Sequence, residues 1–247
     1  MTDVVLLAIA FFAVAVLYAS VGHAGASGYL AAMAIVGLSP AVMKPTALAL
    51  NILAASIVTF RFARAGHIRW RALLPLILGS VPAAFVGGAI LLPAAVYKPV
   101  VGVILLIVAV QILRSVRGAR DRPEPETRVP PVPAVAVGAG IGLLSGLTGT
   151  GGGIFLTPFL LFAGWAGARE AAGLSAAFIL ANSASGLLGS FASVRALPPE
   201  LPIWLAAVAA GAVLGSELGA RRLGAPALRR ALAVVLVIAG LKLIFVG

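Results

Sequence analysis

Eight apolar runs fill most of this chain, near residues 4–37, 45–62, 72–92, 97–114, 132–164, 170–191, 201–220 and 228–247. Six of them have the length of one membrane-crossing helix, roughly 17–25 residues. They carry almost no amphipathic striping, so each is apolar around its whole circumference. Hydrophobic residues make up 62% of the chain and charged residues 10%. A soluble domain of 247 residues cannot bury that much apolar surface, because roughly half of its residues must face water. A bilayer removes the conflict by replacing water as the solvent, and helices then satisfy their own backbone. The expected fold is all-α and polytopic, in a lipid bilayer. The first run carries Asp3 where a cleaved leader would be basic, and reads as a mature membrane segment.

Two runs are too long for one helix, and glycine interrupts both. The first break is Gly22-His23-Ala24-Gly25-Ala26-Ser27-Gly28 and the second is Thr148-Gly149-Thr150-Gly151-Gly152-Gly153. Glycine costs about 1 kcal/mol relative to alanine inside a helix. Each long run therefore reads as two helical pieces joined by unwound backbone, either re-entrant or crossing twice. Residues 115–131 are polar and proline-rich and cannot span. They divide the chain into a membrane unit at 1–114, a linker at 115–131 and a second membrane unit at 132–247.

The two units repeat. At an offset of 127 residues Gly22 falls on Gly149, Gly25 on Gly152, Gly37 on Gly164 and Gly88 on Gly215, while Pro75 falls on Pro202 and Pro99 on Pro226. Chance gives about two such matches at ordinary glycine and proline usage. Each unit is a broken segment followed by three spanning helices. Duplications of this kind are frequent in secondary transporters.

Arginine placement sets the orientation, since cytoplasmic loops are enriched in Lys and Arg. Loop 61–71 holds Arg61, Arg64, Arg69 and Arg71; the linker holds Arg114, Arg117, Arg120, Arg122 and Arg128; loop 221–230 holds Arg221, Arg222, Arg229 and Arg230. All three face the cytoplasm only if each broken segment enters and returns. Both termini then lie outside, and only Lys44, Lys98, Arg195 and Lys242 join them among the 18 Lys and Arg residues. Corresponding loops now face opposite sides, so the repeats are inverted. The formal charge of +11 reflects these loops rather than a nucleic-acid surface.

A buried polar site in such a chain needs groups satisfied by protein or ligand. The breaks create helix N-termini, expected at Tyr29 and Ile154, whose free N–H groups and dipole suit an oxyanion. Glycine lets a ligand approach the backbone. The candidate substrate-binding residues are Ser20, Gly22, His23, Gly25 and Ser27 in the first break, and Thr148, Gly149, Thr150, Gly151, Gly152 and Gly153 in the second. Thr157 is a further donor. Asn51 and Asn182 join them from the following helices, with Asn182 ranked first. The opposing reading is that these glycines only allow close helix packing. Membrane serines such as Ser56, Ser183 and Ser185 are expected to bond back to their own helix. Lys44 is read as an interfacial anchor, or else as a lure for an anion at the outer mouth. Glu217 is expected to cap its helix or pair with nearby arginines.

With no cysteine and two histidines, His23 and His67, no metal site or cofactor is expected, and no nucleophile–base pair marks an enzyme. What remains is a transporter or channel for a small inorganic or organic anion. In the transporter reading the two breaks meet near the bilayer midplane, and one repeat moves against the other. The sequence leaves the oligomeric state open, a homo-oligomer included.

The stretch Gly142-Leu-Leu-Ser-Gly-Leu-Thr-Gly-Thr-Gly-Gly-Gly-Ile-Phe-Leu-Thr-Pro158 resembles the glycine-rich signature of the TauE/SafE sulfite exporter family. Gly173-Leu-Ser-Ala-Ala-Phe-Ile-Leu-Ala-Asn-Ser183 is similar to that family's following helix, while the first break departs from the family's denser glycine run. The resemblance covers nearly the whole chain. It implies transport of sulfite, a sulfonate or a related organic anion across the bacterial inner membrane.

Overall fold

The computed structural model describes residues 2–20, 22–117, 128–190, 197–220 and 226–245. Among them the chain is all helix. In order these are α1 (Thr2–Ala19), α2 (Ala26–Val36), α3 (Pro40–Arg64), α4 (Trp70–Ala89), α5 (Ala94–Arg117), α6 (Pro131–Thr148), α7 (Gly153–Phe162), α8 (Ala168–Gly189), α9 (Leu201–Ala220) and α10 (Pro226–Phe245). Six are long and apolar enough to cross a membrane: Pro40–Arg64, Trp70–Ala89, Ala94–Leu113, Pro131–Thr148, Ala168–Gly189 and Leu201–Leu218. The fold is that of a polytopic membrane protein. Its outer surface is correspondingly apolar, with Ile9, Leu74, Leu78 and Leu188 all exposed.

Both long apolar runs are indeed split. Helix lengths run 18, 11, 25, 20 and 24 residues in α1–α5, and 18, 10, 22, 20 and 20 in α6–α10. Each half thus has five helices, the first two being the pieces of the broken segment. The linker is shorter than expected, because α5 runs on to Arg117. The rest of it, up to residue 127, lies outside the described residues, as do Arg195, Arg221 and Arg222.

Packing exchanges the halves. The first helix of each half lies along the fourth of the other, α1 on α9 and α6 on α4. The third and fifth helices pack on their own counterparts, α3 on α8 and α5 on α10. Across α3 and α8, Leu48 faces Gly186, Asn51 bonds Ser183 and Phe62 faces Gly173. One number rises as the other falls, so these corresponding helices run antiparallel. Along α6 and α4 the numbers rise together: Gly138 meets Leu76, Gly142 meets Ser80 and Gly146 meets Ala84. A Cβ on those three glycines would lie 2.2, 2.3 and 2.2 Å from carbonyl oxygens of α4. Only glycine permits that approach, as small residues do at membrane helix contacts.

α3 and α8 form the centre of the bundle. In their most apolar stretches 61% and 72% of residues are buried, against 28–39% in the other four spanning helices. The directions gather the described arginines at one end. Arg61 bonds Glu217 at 3.0 Å, Arg69 bonds Glu170 at 2.7 Å, and the Arg128 N–H donates to the Trp165 carbonyl. Glu217 therefore pairs with an arginine, one of the two roles expected of it.

Candidate functional site

α8 serves as a ruler for the two breaks. Gly22, in the first, lies against Ala172, where a Cβ would come within 2.8 Å of the alanine methyl. Gly151, in the second, lies against Ile179 and Ser183. Seven to eleven residues separate these levels, about 10–16 Å along a helix. The sequence led one to expect the breaks to meet, and here Gly22 and Gly151 lie at different levels of α8. Each sits at the far end of its first helix and bends back toward the middle. They are linked instead through α7, where Thr157 Oγ1 lies 3.0 Å from His23 Nε2 and donates to Ser175 Oγ at 2.7 Å.

The second break is the more open in its hydrogen bonding. Gly149, Gly151 and Gly152 all have positive φ, at 82°, 74° and 80°. This backbone turns the chain out of α6 and into α7 within a few residues, a path unfavourable for residues with a Cβ. α7 starts at Gly153, one residue before the expected Ile154, and no side chain caps its N-terminus. The first N–H groups of a helix have no intrahelical acceptor. Asn51 and Ser183 stand against Gly151, two residues before the helix. A Cβ on Gly151 would be 2.6 Å from Asn51 Nδ2 and 3.1 Å from Ser183 Oγ. Asn51 Nδ2 donates a long bond, 3.4 Å, to Ser183 Oγ, while Asn51 Oδ1 has no partner. Both residues are fully buried. The Asn51 amide thus lies beside the turn that leads into the uncapped α7 N-terminus.

Other predicted residues of this break support it. Thr148 Oγ1 donates to the Leu144 carbonyl and lies 3.0 Å from Thr150 Oγ1, and Tyr97 donates to the Thr148 carbonyl at 2.9 Å. Gly149 rests on the backbone of Lys44, and Gly152 packs against Ile141 and Phe178. Gly153 packs tightly on Ile179.

The first break is closed on itself. Ser20 donates to the Leu17 carbonyl at 2.7 Å, Tyr18 and Ser27 hydroxyls share a 2.5 Å bond, and Tyr29 donates to the Ala24 carbonyl at 2.7 Å. α2 begins at Ala26 rather than Tyr29, so Ser27 and Gly28 are helical. Gly25, with φ of 106°, precedes the first turn and has the Tyr29 ring against it.

Asn51 and Asn182 are both fully buried, and the side-chain oxygen of each has no hydrogen-bond partner. Asn182 Nδ2 donates to the Phe178 carbonyl of its own helix at 2.9 Å, whereas Asn51 faces the break. The serines also divide. Ser56 bonds back to Ile52 as expected. Ser185 instead reaches the Val81 carbonyl on α4, and Ser190 the Gly88 carbonyl, so in these the bonding is between helices. Lys44 is 4% exposed, and its ammonium donates to the carbonyls of Gly87, Gly88 and Ile90 at 3.2, 2.8 and 3.0 Å. It caps the C-terminus of α4, where a cation complements the helix dipole, rather than anchoring at an interface.

A family model described as sulfite exporter TauE/SafE matches residues 6–243. The chain belongs to the TauE/SafE family. It is also 46% identical to the probable membrane transporter protein y4hK of Sinorhizobium fredii over 245 residues, covering 99% of each chain. No solved structure matches it. Family and relative together make this TauE/SafE protein a multi-pass membrane transporter rather than an enzyme. The glycine signature that carried the resemblance serves two ends. Gly142 and Gly146 seat α6 on α4, and Gly149–Gly153 form the break. Ser175 was missed by the sequence reading; its position one helical turn before Ile179, on the face of α8 that meets the break, is the periodicity that could have found it.

Proposed function

We propose that this protein is a secondary transporter for a small anion, of the size of sulfite or a short sulfonate, and that the anion binds at the second break. The observation that carries the reading is the uncapped N-terminus of α7 with the Asn51 amide against Gly151 in the turn that leads into it. Backbone donors at a helix N-terminus bind oxyanions without a full positive charge, which lets the anion leave as well as enter. The carboxylates of Glu170 and Glu217 are engaged by arginines at the opposite, basic end, and do not compete for these donors.

The two halves act as inverted repeats, an arrangement supported by the antiparallel α3–α8 pair and by the exchanged packing of α1 on α9 and α6 on α4. In this reading the arginine-rich end faces the cytoplasm, both termini face outward, and the protein sits in the bacterial inner membrane. Alternating access follows when one half moves against the other. The contact between His23 and Thr157 lies on that path, because it ties the first break to the helix that follows the second.

The test is flux in proteoliposomes. Labelled sulfite should enter with saturation, and preloaded unlabelled sulfite should drive counterflow. A channel would use the same donors but would give neither behaviour. A ligand-stabilisation screen against sulfite, sulfate, thiosulfate and short sulfonates or carboxylates should single out the substrate, since a binder raises the unfolding temperature by mass action. Absence of stabilisation by every anion in the set, together with absence of flux, would remove the proposal.

A further inference from the structure

The basic end of the bundle carries a cavity of about 1010 Å³, away from the second break and lined by Arg69, Trp70, Arg71, Arg128 and Trp165 among others. Three elements build it: the start of α4, the segment before α6, and the turn after α7. The Arg128 N–H bond to the Trp165 carbonyl at 2.9 Å fastens the second to the third. The Arg69–Glu170 pair at 2.7 Å fastens the start of α4 to α8.

We propose that this cavity is a binding site for the headgroup of an anionic phospholipid. Charge and apolar surface lie together here as such a lipid requires. From the cavity, α4 presents Trp70, Leu74 and Leu78 at 59%, 54% and 61% exposure, one turn apart on one face. Phe162 and Val132, at the ends of α7 and α6 beside the cavity, are 98% and 82% exposed. An acyl chain can lie along these side chains while its phosphate meets the arginines above them. A soluble anion would gain nothing from the apolar stripe. Trp at this level matches the interfacial belt of membrane proteins, and basic pockets at the cytoplasmic leaflet hold anionic headgroups.

The other half supplies an internal comparison. α9 takes the place of α4 there, and at the offset of 127 residues Arg69, Trp70 and Arg71 fall on Ala196, Leu197 and Pro198. The corresponding positions in the other half thus carry neither arginine nor tryptophan. The cavity is a feature of one leaflet, not a by-product of the repeat.

The experiment uses the full-length protein in neutral detergent, with lipid retention read by native mass spectrometry and unfolding temperature read in parallel. The probes are dioleoyl phosphatidylglycerol, phosphatidylcholine of the same chains, and inorganic phosphate. Phosphatidylglycerol should be retained and should raise the unfolding temperature, and phosphatidylcholine should do neither. Arg71→Gln and Arg128→Gln should each weaken retention about fivefold, and Trp70→Ala should weaken it as well. Arg64→Gln, an exposed arginine at the same end stacked on Phe60, should leave it unchanged. Equal retention of the two lipids, or an unchanged Arg71→Gln/Arg128→Gln double variant, would overturn the proposal. So would an equal loss in Arg64→Gln, which would mean diffuse charge rather than a pocket. Competition by inorganic phosphate at the lipid's own concentration would show a soluble-anion site and also overturn it. Sulfite flux does not enter these outcomes, so the proposal stands or falls apart from the transport site.

Discussion

Replacing Gly151 by alanine tests the site with one methyl group. Two effects separate cleanly. Gly151 has φ of +74°, and a residue with a Cβ in that region costs about 1–2 kcal/mol. The new methyl would also lie 2.6 Å from Asn51 Nδ2 and 2.9 Å from Ile179 Cγ2. Overpacking of that kind costs about 1–3 kcal/mol more. Asn51 can relieve the clash only by swinging away, which removes its amide from the break. If it stays, the methyl occupies the space before it. Either way the anion loses a hydrogen bond to a charged ligand, worth about 1.5–3 kcal/mol, so its Kd should rise roughly 10- to 100-fold.

Gly37→Ala is the matched control. Gly37 has φ of +87°, with nothing within 4 Å of an added Cβ. It incurs the backbone strain without the clash and lies outside the second break. Both variants should lose thermal stability, Gly151→Ala more than Gly37→Ala. Only Gly151→Ala should lose ligand-induced stabilisation and proteoliposome flux. If the two variants bind and transport alike, backbone strain is the whole effect, and the reasoning that places the anion between Gly151 and Asn51 is wrong.

Four further outcomes follow from the same geometry. Gly152→Val should abolish flux while the protein still reaches the membrane, as judged by fractionation, because Gly152 packs against Ile141 and Phe178 at φ of +80°; wild-type flux would contradict the site. Asn51→Ala should weaken anion binding at least about tenfold, whereas Asn182→Ala, whose amide bonds its own helix, should leave the Kd within about twofold; titration by thermal shift distinguishes them. Lys44→Met should lower stability by about 2–4 kcal/mol, since three carbonyls at the end of α4 lose a charged donor; an unchanged unfolding temperature would show that the cap is idle. His23→Gln, which retains a donor toward Thr157, should keep more flux than His23→Ala, and equal flux in the two would remove the contact from the transport cycle.

The architecture was legible because the bilayer demands it. Runs of spanning length, two glycine breaks and the offset of 127 residues are each one-dimensional signals. The exact starts of α2 and α7 were not. Ala26 and Ser27 are good enough helix formers to extend α2 backward once Gly25 has made its turn, and composition alone does not reveal where a turn is completed. The site was legible in kind but not in arrangement. Asn51 and Asn182 are similar residues in similar apolar surroundings, and only the facing of α3 against α8 puts Asn51 at Gly151 and returns Asn182 to Phe178. Lys44 shows the same limit. Its position near the end of a run reads as interfacial, yet it sits inside α3 because Pro40 opens that helix earlier, and its partners lie 43 to 46 residues away.

The duplication invites an anion at each break, and the hydrogen bonds argue against that symmetry. In the first break these hydroxyls are already spent within the break or its own helices: Ser20 on Leu17, Tyr18 with Ser27, and Tyr29 on Ala24. Its glycines are hemmed by side chains rather than by donors, with Phe62 and Ala172 against Gly22 and the Tyr29 ring against Gly25. In the second break Gly151 faces the Asn51 amide and the Ser183 hydroxyl, across α3 and α8. An inherited fold can therefore keep two breaks while only one keeps its chemistry. On the proposed reading the first then serves as a mechanical counterpart, joined to α7 through His23, and the anion binds at the second.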